Sequence, residues 1–336
     1  MERAETSSTA GLRAAGGAID VGGATVVLFM IGAAIFLVVG CLQSTTFAQY
    51  TIQGLALGSV YGALALALVL VYRATHVINF AQGELALLTT YIAYQLMLWG
   101  LSYWEAFAAT LAIAFALGTV LQVTLIRPVQ RSVIAVVIVT VGLFILIDGI
   151  VNWIWGGDDK FMPSPFGIAS LDVGGVAIRH LYLWMMGVVF VSVLLVWALF
   201  RFTKLGLGMR AAALRPAAAA LVGVRVDSML ALGWGLAAVL GAVAGLMAEP
   251  SNFFLSPTLM QPILVYAFAA AVLGGLESPA GALVGGLAIG VTLTLIVGYV
   301  PQIGSELQLP FAFAVLLLIL LVKPSGLFGR KEVRRV

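Results

Sequence analysis

Residues 77–94 read Val-Ile-Asn-Phe-Ala-Gln-Gly-Glu-Leu-Ala-Leu-Leu-Thr-Thr-Tyr-Ile-Ala-Tyr. The stretch is apolar enough and long enough to cross a bilayer, yet Asn79, Gln82 and Glu84 stand near its start. Polar and ionisable groups inside a membrane are costly, and they face the protein interior or a water-filled path. Gly83, between them, lets another backbone come close or lets the helix break. The segment therefore points to a membrane protein with a polar interior, and so toward transport.

Composition agrees. The chain has 336 residues, of which 62% are hydrophobic and 9% charged, and its mean hydropathy is +1.13. Soluble domains are roughly half apolar and about a quarter charged, so a soluble fold is excluded and a polytopic all-α membrane bundle is expected. The 38 glycines suit helices that pack closely in lipid. Cys41 is the only cysteine, which rules out an intrachain disulfide. His76 and His180 lack the spacing of a metal site, so no metal is expected. There is no Gly-rich phosphate loop; a nucleotide would have to be held by another chain.

Residues 1–23 read as a disordered polar tail. Ten apolar segments follow, at 24–41, 50–72, 77–98, 104–126, 133–153, 181–200, 229–248, 262–276, 281–299 and 309–322. This predicts about 8–10 transmembrane helices. The eighth and tenth are short, and Pro262 and Pro310 mark their starts. Residues 24–45 form an extra N-terminal helix or a signal: Val38-Val39-Gly40-Cys41 loosely resembles a lipobox. Glu2, Glu5 and Asp20 ahead of it suit an uncleaved helix better. Residues 46–336 form the main membrane domain. Its halves at 54–94 and 264–299 share Gly-rich helices beside a short polar break, a weak internal echo.

Basic residues set the orientation. Arg73, Arg127 and Arg131 lie in two turns. Arg201, Lys204, Arg210, Arg215 and Arg225 lie in the loop 201–228, and Lys323, Arg330, Lys331, Arg334 and Arg335 lie in the tail. Ten spans with both termini cytoplasmic put all of them inside.

Three stretches are candidates for function. Asn79 and Gln82, three residues apart, share a helix face; Glu84 points elsewhere. They read as a path or gate with Gly83, or as hydrogen bonds between helices. A third option for Glu84 is a bond to backbone N–H groups freed near Gly83. The second stretch, 208–224, predicts a short cytoplasmic helix over 216–222. Pro216 begins it and Gly223 ends it, and its alanine-rich face fits a protein groove better than lipid. The third, 273–286, predicts a tight turn built on Gly274, Gly275 and Gly281, with Glu277 solvated or capping. Asp148 is a further intramembrane acid, expected to pair with a neighbouring helix. Trp153, Trp155 and Trp184 fit an interfacial belt.

Together the string Ile-Asn-Phe-Ala-Gln-Gly-Glu (78–84), the Gly-x-x-x-Arg-Ala run that ends at Gly223-Val224, the Gly-Gly turn (274–282) and the Pro-x-Gly-Leu-Phe-Gly end (324–329) resemble the Liv-type permeases of branched-chain amino-acid ABC importers. The resemblance implies a type II importer-like permease domain over 46–336. It implies a second permease subunit, usually in a heterodimer, two cytoplasmic ATPases that carry ATP and magnesium, and a substrate-binding protein. It further implies a bacterial inner-membrane location, no enzymatic activity and no cofactor on this chain, and a coupling helix that includes Arg210, Arg215, Pro216, Ala219, Leu221 and Gly223. Where family members carry acidic or polar residues, this chain has Leu214, Arg215, Ala217 and Ala220. An ion-coupled carrier using Glu84 or Asp148 is the alternative; a scaffold role is a weaker third.

Overall fold

The structure is a computed structural model that describes residues 32, 34–130, 132–167, 169–252, 254–300, 307–322 and 326–328. The expectations for the tail 1–23, for residues 24–31 of the first apolar segment, for Arg131 and for the basic residues after 322 lie outside the described residues. The boundary between two compact units falls after Ala48. In the first unit, α1 (Ala34–Gln43) contains Cys41, and Phe36 meets Phe47 edge to face at 5.7 Å.

The remaining helices are α2 (Thr45–Thr75), α3 (Gln82–Leu98), α4 (Tyr103–Val129), α5 (Val133–Trp155), α6 (His180–Phe202), α7 (Lys204–Leu214), α8 (Pro216–Leu221), α9 (Val226–Asn252), α10 (Met260–Gly274), α11 (Pro279–Tyr299) and α12 (Gln308–Val322). Among the described residues six of them, α2, α4, α5, α6, α9 and α11, are long and apolar enough to cross a membrane. At 17 residues α3 reaches about 26 Å, and α10 and α12, at 15 each, about 22 Å. All three fall short of a hydrocarbon core of roughly 30 Å. Pro262 and Pro310 sit in the first turns of α10 and α12, where a missing N–H costs least.

Local chemistry fixes several helix starts. Ser132 accepts from the Ala135 N–H (3.3 Å) at α5, Thr203 from Gly206 (3.0 Å) at α7, and Ser278 from Gly281 (3.0 Å) at α11. At α4, the Glu105 carboxylate accepts from the Ser102 N–H at 2.8 Å. α4 carries a π-helical turn at Gln122–Ile126 before its end.

α2 and α9 are mostly buried, whereas α4, α5 and α6 turn long apolar faces outward, with Ile134, Ile138, Ile145 and Phe190 exposed. Lipid tails are as apolar as leucine, so close packing rather than the hydrophobic effect must hold the inner helices together. The α2–α11 crossing supplies it. A Cβ on Gly58 would lie 2.8 Å from the Gly286 carbonyl oxygen, and one on Gly54 would lie 2.6 Å from Val291 Cα. Small residues every fourth position, Gly54-Gly58-Gly62 against Ala282-Gly286-Gly290, bring the two backbones into contact.

Among the described residues one short hairpin accompanies the helices. Ser170–Val173 (β1) pairs antiparallel with Val176–Arg179 (β2), in the register Val173 to Val176. Gly174 and Gly175 make the two-residue turn with φ of 63° and 84°, which glycine adopts freely. This hairpin leads directly into α6. Nearby, Lys160 and Leu255 exchange backbone hydrogen bonds at 3.0 and 2.8 Å, tying the segment after α5 to the segment after α9.

Candidate functional site

The segment 76–81 is not helical. His76, with φ of 55°, ends α2's run, and Asn79 lies in a turn before α3. Asn79 and Gln82 therefore do not share a helix face as expected; they meet through a turn. Asn79 Oδ1 accepts from the Ala81 N–H (3.1 Å), its main-chain carbonyl accepts from the Gln82 N–H (3.2 Å), and its Nδ2 donates to Gln82 Oε1 (3.1 Å). Asparagine favours this arrangement because its side chain mimics a backbone turn. Gln82 Nε2 then donates to the Ala237 carbonyl of α9 at 3.0 Å. Gly241 leaves the space: a Cβ there would lie 2.8 Å from Gln82 Nε2.

Gly83 faces another way. A Cβ on it would stand 3.0 Å from Leu264 Cβ of α10. Glu84 is fully buried, and neither carboxylate oxygen has a hydrogen-bond partner. The option of a bond to freed backbone N–H groups is thus not realised, because the break precedes Gln82 and the Leu85 N–H is taken by the Ala81 carbonyl (2.9 Å). Three successive residues of α3 have three separate jobs: Gln82 binds α9, Gly83 admits α10, and Glu84 stands unsatisfied.

Asp148 on α5 lies within electrostatic reach of Glu84. Its hydrogen-bond partner is on its own helix, Asn152 Nδ2 at 3.3 Å, rather than on a neighbour as expected. Trp155 also departs from expectation. Its indole donates to Gln95 Oε1 of α3 at 3.0 Å and packs on Tyr91, so it clamps helices together. Trp153 and Trp184 are outward-facing, as a belt requires.

At the opposite end of α3 from Gln95, the basic loops gather on one face. Arg73, Arg201, Arg210 and Pro279 line one cavity of about 350 Å³, and Arg127 pairs with Asp227, two residues after Arg225. The chain 204–225 lies on this face as two helices. α7 stops at Arg215, whose φ and ψ of −145° and 81° lie outside the helical region, which a residue before proline avoids. α8 starts on Pro216 and ends in a Schellman motif. The Val224 N–H donates to the Ala219 carbonyl (3.0 Å), and the Gly223 N–H donates to Ala220 (3.1 Å), with Gly223 at φ of 84°.

The exposed surface of this helix pair is apolar with a charged edge. Leu214, Leu221 and Val222 are 76%, 90% and 78% exposed, and Arg215 stands beside them. Ala219, which the sequence placed among the docking residues, is 4% exposed and seats α8 on the bundle instead. Leu214 and Val222 are the exposed residues that sequence reasoning passed over as contacts.

A tight turn joins α10 to α11. Gly275 has φ of 95°, and a Cβ on Gly274 would lie 2.6 Å from Ala282 N. Glu277 is exposed, and the cap comes from Ser278 instead. The segment 326–328 folds back onto this turn: the Leu327 N–H donates to the Leu273 carbonyl (2.7 Å), and Phe328 donates to Gly274 (3.2 Å).

The family model described as the permease component of the branched-chain amino acid transport system matches residues 50–320. The chain is 31% identical to the high-affinity branched-chain amino acid transport system permease protein LivH of Salmonella typhimurium over 310 residues, 88% of this chain and 99% of that protein. LivH of Escherichia coli K12 is 30% identical over the same shares. The corresponding permease protein BraD of Pseudomonas aeruginosa is 28% identical over 304 residues, 86% of this chain and 98% of BraD.

Proposed function

The chain belongs to the family of branched-chain amino acid transport system permease components, and from that premise we propose that it is the membrane-spanning subunit of an ABC importer for branched-chain or related amino acids or small amides. It is a transport subunit rather than an enzyme. A second permease subunit completes the path as a heterodimer, and two ATPase chains bind beneath it. ATP and magnesium sit on those chains, and this chain holds no cofactor. A substrate-binding protein delivers the cargo from the other side. The arginine-rich face is cytoplasmic, as the positive-inside rule requires, and both termini lie there.

The observation that carries the coupling role is the exposed apolar edge of α7–α8, Leu214, Leu221 and Val222, on a helix held rigid by Pro216 and the Schellman motif. A rigid, short helix with an apolar edge can seat in an ATPase groove and pass its closure to the bundle as a rigid-body movement. Asn79 and Gln82 fix α3 against α9, so that movement at α9 is felt at Glu84.

The buried, unpartnered Glu84 favours a second reading, an ion-coupled carrier with Asp148 as its companion. Reconstitution separates the two. The importer reading requires partner ATPases and ATP for uptake into proteoliposomes; uptake by this chain alone on a proton or sodium gradient would overturn it.

A further inference from the structure

The cavity at the arginine-rich end has an apolar extension. A neighbouring cavity of about 500 Å³ follows it along α2, and the two share Phe190, Val193 and Leu283 in their linings. α2, α6 and α11 all contribute to both. Along α2 the lining runs from Ser59 and Gly62 through Leu66 and Leu70 to Arg73. From Gly62 to Arg73 the helix rises about 16 Å, one leaflet of a hydrocarbon core roughly 30 Å thick.

Small residues keep this groove open. A Cβ on Gly187 of α6 would meet nothing within 4 Å, and Ser59 and Gly62 line the same stretch. Phe190 and Trp197 stand at its edge, 67% and 53% exposed. Trp197, one helical turn before Arg201, meets Phe202 edge to face at 5.4 Å. Indole rings gather at this depth, where hydrocarbon gives way to headgroups.

The basic end has no counter-charge in its walls. Among the described residues no carboxylate lines either cavity, and Glu277 is exposed in the turn ahead of Pro279. Neither Arg201 nor Arg210 forms an ion pair among the described residues; Arg127 and Asp227 pair with each other. Arg210 is partly buried, and its Nε donates to the Gly206 carbonyl at 3.3 Å, which orients the guanidinium. Snorkelling toward headgroup water accounts for the exposed Arg201. It does not account for Arg210, which comes from α7 and lines the same cavity.

An occupant matching the groove carries a compact anion at one end and a long apolar chain behind it. A small anion meets the arginines alone, and an apolar helix meets the walls alone. Guanidinium groups pair strongly with phosphate, and basic pockets between membrane helices hold anionic headgroups. We propose that the groove is a binding site for an anionic phospholipid. Arg201 and Arg210 hold its phosphate, and one acyl chain lies between α6 and α11 over Gly62.

The test reads Trp197 in the full assembly in mixed micelles, its fluorescence taken as the difference from the Trp197→Phe variant. Phosphatidylglycerol with brominated acyl chains is expected to quench that signal with about tenfold higher apparent affinity than phosphatidylcholine with the same chains. Arg201→Gln and Arg210→Gln are each expected to lower that ratio about threefold. Arg201→Lys, which keeps the charge, retains most of it and so separates lost charge from lost folding. Glycerol 3-phosphate, a headgroup anion without chains, is expected to leave quenching unchanged. Equal quenching by the two lipids, a ratio that neither glutamine variant moves, or displacement by glycerol 3-phosphate would overturn the site. Quenching in the isolated chain but by neither lipid in the assembly would mean that a neighbouring subunit covers the groove, which overturns it too.

Discussion

The side-chain amide of Gln82 donates to the main-chain carbonyl of Ala237 at 3.0 Å, joining the first turn of α3 to the middle of α9. That carbonyl lies in a helix and has an intrahelical donor available, so the added bond is a clamp rather than a rescue. Hydrogen bonds between membrane helices contribute about 0.6 kcal/mol on average and up to about 1.7. Gln82→Leu also strands Asn79 Nδ2, which now donates to Gln82 Oε1. The expected result is a loss of about 1–2 kcal/mol, read as a thermal midpoint a few degrees lower in detergent. Gly241→Val, which drives a branched side chain into the amide, is expected to cost more.

Glu84 has no hydrogen bond to lose. Glu84→Gln replaces a buried, unpartnered carboxyl with an amide of the same shape, and the thermal midpoint is expected to stay equal or rise. ATP-driven uptake is expected to fall all the same if the carboxylate serves the path. Normal uptake with an unchanged midpoint would remove Glu84 from the mechanism.

The α2–α11 crossing admits no side chains. Gly58→Leu or Gly290→Leu must push two backbones apart, since a bare Cβ already meets Gly286 O, or the Gly58 backbone itself. Overpacking costs about 1–3 kcal/mol where side chains can adjust, and here the obstacle is backbone. Both variants are expected to fail to accumulate as monodisperse protein by fluorescence-detected size exclusion. Leucine at Gly142, which has open space around it, is expected to accumulate normally.

The docking edge and the seat of α8 come apart by mutation. Leu221→Asp changes a side chain that is 90% exposed, so the midpoint of the isolated permease is expected to hold while co-purification of the ATPase drops about tenfold, the scale of one interface anchor. Ala219→Glu buries a charge under α8 and is expected to lower the midpoint first. If Leu221→Asp leaves the ATPase bound and transport normal, α8 is no coupling helix.

These positions also show what a single sequence reveals. The ends of α8 were legible because Pro216 and Gly223 act locally, through a fixed φ and a left-handed turn. Its orientation was not: four successive alanines give no contrast between faces, so Ala219 could be read as outward although it is buried. The glycine content points to close helix packing, and the segments 54–94 and 264–299 read as Gly-rich, but neither names Gly286 and Gly290 as what Gly54 and Gly58 meet. Asn79 was placed on a helix because the apolar pattern runs unbroken through Val77 and Ile78, whereas its side chain closes a turn. The hairpin at 170–179 was hidden in a chain whose composition speaks only of helices.

Tyr103 offers the strictest check on these inter-helix contacts. Its hydroxyl is 3.1 Å from the Leu246 carbonyl, the group that Pro250 leaves without its usual donor four residues on. Tyr103→Phe keeps the ring and its packing on Phe166 but strands a buried carbonyl, at a cost of about 1–3 kcal/mol. Pro250→Ala restores the backbone N–H that the carbonyl lacks. In that background the Leu246 carbonyl has a donor of its own, so Tyr103→Phe is expected to cost much less. The double-mutant cycle should therefore show coupling of about 1 kcal/mol, within the range for residues sharing one network, measured by reversible unfolding in mixed micelles. Additive effects of the two changes would mean that Tyr103 does not substitute for the missing backbone donor.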